Sequence, residues 1–222
     1  MATKPFAIIA GVGPGTGSSI ARLFAKSYPV ILLARNPQNY QSVVDEINST
    51  GGQATGISTD LSDSKGVRST FEQIKSQFGN APLAAAVFNS GGGFIRKPFL
   101  ELTEEEKGGF NFAQAVLPLF PSDTNATAPA TKYPPTLIFT GATASLKGSA
   151  NFASEFGPKG IHVAHVIIDG VIDIPRTKGW VFEKEDAKLD PGAIAEAYWH
   201  LHTQPRTTFG FELDLRPYVE RW

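Results

Sequence analysis

The chemistry-bearing residues open with Gly11, Gly13, Gly15 and Gly17, four glycines set two apart in AGVGPGTGSSIAR, with Thr16 between the last pair. Glycine at these points removes side chains where a backbone must turn sharply and approach a ligand closely. The run is entered from the apolar residues Phe6-Ala7-Ile8-Ile9 and leads into a helical pattern. That strand–turn–helix context presents free N–H groups at a helix start to an anion, typically a pyrophosphate. Arg35 follows the apolar run VILLA. A carboxylate there would accept from the hydroxyls of an adenosine ribose, whereas a guanidinium suits a 2′-phosphate, so NADP is expected over NAD and over a methyl-donor nucleoside. Asp60-Leu61 and Asn89-Ser90-Gly91-Gly92 follow two further apolar runs. Singly, Arg35 is a surface arginine, Asp60 a helix cap and Gly91–Gly93 a turn. Their appearance in order, each just after a strand, carries the signal, because ligands of such sheets gather at the carboxyl ends of the strands.

Short apolar runs alternating with helical patterns are the mark of a parallel sheet with crossover helices. Strands are expected at Phe6–Ala10, Pro29–Ala34, Ala54–Ser58, Leu83–Phe88, Thr136–Thr140, Ile161–Ile168 and Phe209–Leu215. Helices are expected at Gly17–Ser27, Asn39–Ser49, Ser62–Phe78 and Ala193–His202. Thr103 and Glu106 form a capping-box pattern for a helix from Glu104, which Gly108-Gly109 should interrupt before it resumes over Phe110–Leu119. Residues 121–135 read as a polar surface loop rich in Pro and Thr. The expected fold class is α/β: a single doubly wound, Rossmann-type parallel sheet over residues 1–222.

Composition closes off other classes. A net charge of −1 and a pI near 6.4 give no basic surface for nucleic acid or anionic lipid. With no cysteine there is no disulfide framework, thiolate metal site or Cys nucleophile. His162 and His165 lie three apart on a strand and so on opposite faces, and His200 and His202 two apart on a helix, so no metal is expected. No Lys-Ser or Lys-Thr follows the glycine turn, which rejects a Walker-type phosphate loop. The amino-terminal apolar run is too short for a signal peptide and no stretch is long enough to span a membrane, so a cytoplasmic protein without membrane or nucleic-acid partners is expected.

These residues resemble the short-chain dehydrogenase/reductase family. Gly11, Gly15 and Gly17 match its TGxxxGxG with Ala10 for the threonine, Asp60-Leu61 match its adenine-pocket pair, and Asn89-Ser90-Gly91-Gly92 its NNAG-like motif. FGPKGIHV (156–163) resembles the segment leading into its sixth strand, and Asp169-Gly170-Val171-Ile172 its PG loop near the nicotinamide. The resemblance implies NADP(H) binding by Gly11, Gly13, Gly15, Thr16, Gly17, Arg35, Asp60, Leu61, Asn89, Gly91 and Ile172. It implies hydride transfer between NADP(H) and a small carbonyl or alcohol, with residues 175–190 as a substrate lid.

The family's catalytic Ser and Tyr-x-x-x-Lys pair are not found. None of Tyr28, Tyr40, Tyr133, Tyr198 and Tyr218 has a lysine four residues on, and Ala142 stands where the serine would be. Between Gly141 and Gly160 lie about 18 residues, enough for a crossover but with room for only a turn or two of helix around Asn151–Phe156. With the early glycines at 108–109, this reads as a divergent member lacking two internal segments on one face of the sheet, which leaves helix cover reduced there and a family-type homo-oligomer doubtful. The alternative reading is an inactive NADP-binding protein or truncated isoform.

Overall fold

A computed structural model describes residues 4–89, 108–121, 131–141 and 152–220. Seven parallel strands form one sheet in the order β3-β2-β1-β4-β5-β6-β7. They are β1 (Phe6–Ala10), β2 (Val30–Ala34), β3 (Ala54–Ser58), β4 (Leu83–Phe88), β5 (Thr136–Gly141), β6 (His162–Ile168) and β7 (Glu212–Leu215). Every residue of β1 and β2 is buried, as strands covered on both faces require. The alternation of side chains along β1 divides the core. Ala7 and Ile9 pack with α1 (Thr16–Ala25), α2 (Gln41–Ser49) and α6 (Pro191–Thr203), while Phe6, Ile8 and Ala10 pack with α3 (Ser64–Phe78) and α4 (Gly108–Val116). Strand order reverses between β1 and β4, the switch point at whose carboxyl ends sheets of this kind hold their ligands.

Gly108 and Gly109 lie within α4, which the described residues show from Gly108 onward. A Cβ on Gly108 would stand 3.2 Å from the Leu61 carbonyl oxygen, and one on Gly109 would stand 3.4 Å from the Phe88 ring, so their bareness lets α4 pack closely. The capping-box residues Thr103 and Glu106 and the helix start at Glu104 lie outside the described residues. The cap of α3 is Asp63, whose carboxylate accepts from the Lys65 amide at 3.0 Å, and the helix starts two residues later than Ser62. β7 begins at Glu212; ahead of it Phe209 stacks on the His162 ring, 4.3 Å between centroids, and the Gly210 amide donates to Gln204 at 2.8 Å.

In the β5–β6 crossover the described helix is α5 (152–156), followed by one 3-10 turn at Gly157–Lys159. Phe152 of α5 stacks on Phe139 of β5 at 5.8 Å, and Phe88, Phe112 and Phe139 fill the space beneath. On the opposite face α6 braces β5 at both ends. Tyr198 reaches Thr140 at 2.6 Å, and His202, one turn on, reaches Thr136 at 3.0 Å. Among the described residues no helix is long and apolar enough to cross a membrane.

Candidate nucleotide site

The glycine turn leaves β1 at the switch point. Gly11 and Val12 both donate to the Leu33 carbonyl of β2, at 2.8 and 3.1 Å, which bends the chain away from the sheet. Gly11 takes φ of 84°, in the left-handed region that disfavours other residues. Ser18 folds back on Gly15, accepting from its amide at 3.2 Å and donating to its carbonyl at 3.0 Å. A Cβ on Gly17 would run into the Gly11 carbonyl oxygen and stand 3.1 Å from Asn89 Nδ2. A Cβ on Gly13, by contrast, would meet nothing within 4 Å among the described residues. One glycine of the turn is therefore required for packing, while another faces open space.

Two features of this turn fit the phosphates of a dinucleotide. The Thr16 hydroxyl is buried at the start of α1 and makes no hydrogen bond among the described residues. A buried hydroxyl left so is rare, and a ligand oxygen would satisfy it. The first turn of α1 carries no acidic side chain, so its positive dipole end is not neutralised.

Asn89 joins the turn to the centre of the sheet. Its amide donates to Ala10 at 2.8 Å, its Nδ2 donates to the Gly11 carbonyl at 3.1 Å, and its Oδ1 accepts from Thr140 at 3.1 Å. The loop after β6 closes on the turn from the far side. Ile172 bridges Leu189, and Ile174 lays its Cγ2 2.5 Å from where a Gly15 Cβ would be. The buried Thr177 hydroxyl ties this loop, taking the Ile174 amide at 3.0 Å and donating to the Ile172 carbonyl.

Arg35 and Asp60 stand together at the ends of β2 and β3. Asp60 accepts from the Ser62 amide at 3.0 Å and the Ser62 hydroxyl at 2.7 Å. Those bonds, then the nearby Arg35 guanidinium, hold its carboxyl below the usual carboxylate range. Both side chains are exposed. Leu61 is buried against α3 and α4 instead of lining open space. Gly91 lies outside the described residues, as does Ala142. Sequence reading missed Thr140, Tyr198, Ile174 and Thr177. Only Thr140, at the end of a strand, carried a signal that could have found it.

A doubly wound parallel sheet with a glycine turn at its switch point defines a dinucleotide-binding domain of the Rossmann type. The chain belongs to the short-chain dehydrogenase family, whose family model matches residues 5–126. The Oxidoreductase UcpA of Salmonella typhimurium is 27% identical over 125 residues, 52% of this chain and 46% of that protein. The chain thus matches about half the length of that relative. A short-chain dehydrogenase from Rhodopseudomonas palustris superposes with a TM-score of 0.64 at 28% identity, covering 96% of this chain and 99% of that one. An alcohol dehydrogenase from Thermococcus sibiricus complexed with 5-hydroxy-NADP superposes at 0.73 with 23% identity, covering 98% of each, a likeness of fold.

Proposed function

We propose that this chain binds NADP(H) across the carboxyl ends of β1, β2, β3 and β4, as an oxidoreductase of the short-chain type. The observation that carries the proposal is the glycine turn at the switch point, with its unpaired Thr16 hydroxyl and Arg35 one strand away. In this reading Gly11, Gly13, Gly15, Thr16 and Gly17 receive the pyrophosphate on backbone N–H groups and the Thr16 hydroxyl. Arg35 takes the 2′-phosphate with a charge-assisted fork that a ribose hydroxyl cannot match. Asp60, with the backbone of Leu61 beside it, edges the adenine, Asn89 and Gly91 border the ribose side, and Ile172 the nicotinamide. When bound, NADP(H) supplies a hydride to a carbonyl carbon or takes one from an alcohol. Residues 175–190 serve as the substrate cover, with Trp180, Val181 and Phe182 exposed and Lys188 Nζ fastened to the Thr177 carbonyl at 2.7 Å.

A second reading has a specific observation in its favour. The sequence holds no Tyr-x-x-x-Lys. Without a lysine to lower a tyrosine's pKa, proton exchange with the substrate oxygen has no recognised agent, and the chain would hold NADP(H) without turnover.

The test is a calorimetric titration of the parent chain and of Arg35→Ala with NADPH and NADH. The parent should prefer NADPH about tenfold or more, since a charged hydrogen-bonded pair is at stake. Arg35→Ala should bind the two nucleotides alike. A preference that survives the substitution overturns the assignment of the 2′-phosphate to Arg35. Oxidation of NADPH against a panel of aldehydes and ketones then separates the oxidoreductase from the non-catalytic reading.

A further inference from the structure

The glycine turn is tied to a side chain on the last helix through three hydrogen bonds whose directions can be assigned. The Gly11 carbonyl can only accept, so the side-chain atom of Asn89 facing it at 3.1 Å is the donor Nδ2. That leaves the Asn89 Oδ1 toward Thr140, which must donate its one hydroxyl proton across 3.1 Å. Having spent that proton, Thr140 can only accept from Tyr198, whose hydroxyl lies 2.6 Å away. The chain therefore runs one way, from Tyr198 through Thr140 and Asn89 to Gly11, and each hydroxyl proton in it is used once.

We propose that Tyr198 is a positioning residue for the nucleotide turn: its hydroxyl acts through Thr140 and Asn89 to fix the Gly11 carbonyl and the backbone that follows it. The inference deepens the nucleotide reading above and rests on it for its functional meaning. Gly17 allows Asn89 to sit so close, since a Cβ there would stand 3.1 Å from Nδ2. One side chain thus bonds the start of the turn and lies close against its end. Tyr198 itself cannot touch a ligand, because it has no exposed surface. Burial also raises its pKa, so it stays a donor across the working pH range. It shares one buried cluster with Ile194, Ala195 and Leu201 of the same helix, so the helix that lies across β5 sets where the donor stands.

The experiment compares the parent chain with Thr140→Val, Tyr198→Phe and Thr140→Ser. Hydrogen exchange of the amides from residue 11 to 18 is followed in nucleotide-free protein, with the amides of β2 as reference. Thr140→Val leaves the Asn89 Oδ1 without its donor and the Tyr198 hydroxyl without its acceptor, so it should act most strongly. Exchange across the turn, relative to β2, should rise about three- to tenfold in Thr140→Val and by less in Tyr198→Phe, the scale of one lost hydrogen bond. Thr140→Ser keeps the hydroxyl and should match the parent. NADPH affinity should fall in the same order. Exchange at the turn equal to the parent's in Tyr198→Phe, with loss only in melting temperature, would reduce the Tyr198 bond to packing and overturn the proposal, whatever Thr140→Val shows. Faster exchange in a chain that binds no NADPH would sustain the relay and remove the nucleotide reading alone.

Discussion

At the scale of single residues, the glycines of one turn do different work. Gly17 exists because the Gly11 carbonyl, Val12 and Asn89 leave no room for a Cβ, whereas Gly13 borders open space. Gly17→Ala should therefore cost about 1–3 kcal/mol in a urea titration, the usual penalty for forcing a methyl into a packed site. Gly13→Ala should leave that titration within about 0.5 kcal/mol of the parent, as surface substitutions do. Its methyl would still stand in the space assigned to the phosphates, so NADPH affinity should drop. If Gly13→Ala binds NADPH as the parent does, the phosphates do not pass over Gly13. The sequence revealed that four glycines mark a turn, but spacing could not divide them by role. That division depends on Asn89, far along the chain, whose side chain reaches back to Gly11.

At the scale of elements, α6 shows what periodicity reveals and what it hides. Tyr198 and His202 lie four apart and so share a helix face, which is visible in the sequence. Their partners Thr140 and Thr136 are 58 and 66 residues away, beyond any local pattern. Asp60 and Asp63 show the same limit at short range. Either could cap α3, and only the fold assigns the cap to Asp63 and the turn before it to Asp60.

The proton inventory at His202 has a consequence for stability. Thr136 donates to the Pro134 carbonyl at 2.9 Å, so it accepts from His202 Nδ1, and Nε2 accepts from the Tyr28 hydroxyl at 2.9 Å. Neutral imidazole satisfies every partner. Burial, with His162 nearby, lowers the His202 pKa from 6.5 to about 4. The unfolded chain then binds a proton that the folded chain refuses over that interval, so this contribution to stability is full above pH 6.5 and is lost as pH falls toward 4. Between pH 7 and pH 5 the loss should be about 2 kcal/mol. Urea midpoints at the two pH values measure it. His202→Asn should shrink the difference without abolishing it, because burial also lowers the His162 pKa. An undiminished difference in His202→Asn would show that another group titrates.

At the scale of the whole molecule, the sheet was legible because alternating apolar runs and helical patterns admit few topologies. The crossover from β5 to β6 reads in the sequence as short, and its described part, from residue 152, holds α5 and one 3-10 turn. The consequence is a separation of holding from turnover. The parts assigned to the nucleotide belong to β1 through β4 and their loops, all upstream of this crossover apart from Ile172. NADPH at 100 times its Kd should stabilise the fold by about 2.7 kcal/mol. For a chain of this size that is a rise in melting temperature of roughly 5–10 °C, with NADH at the same concentration giving less. The same chain should oxidise NADPH far more slowly than a version in which the two family segments, including a helix with tyrosine and lysine four apart, are inserted. General acid catalysis of that kind contributes about 10²- to 10⁴-fold. Equal rates in the two forms would mean that another residue of this chain delivers the proton, and the non-catalytic reading would be wrong. A thermal shift without turnover in the shorter form, and turnover in the longer, would place the activity in the inserted helix and leave the glycine turn intact.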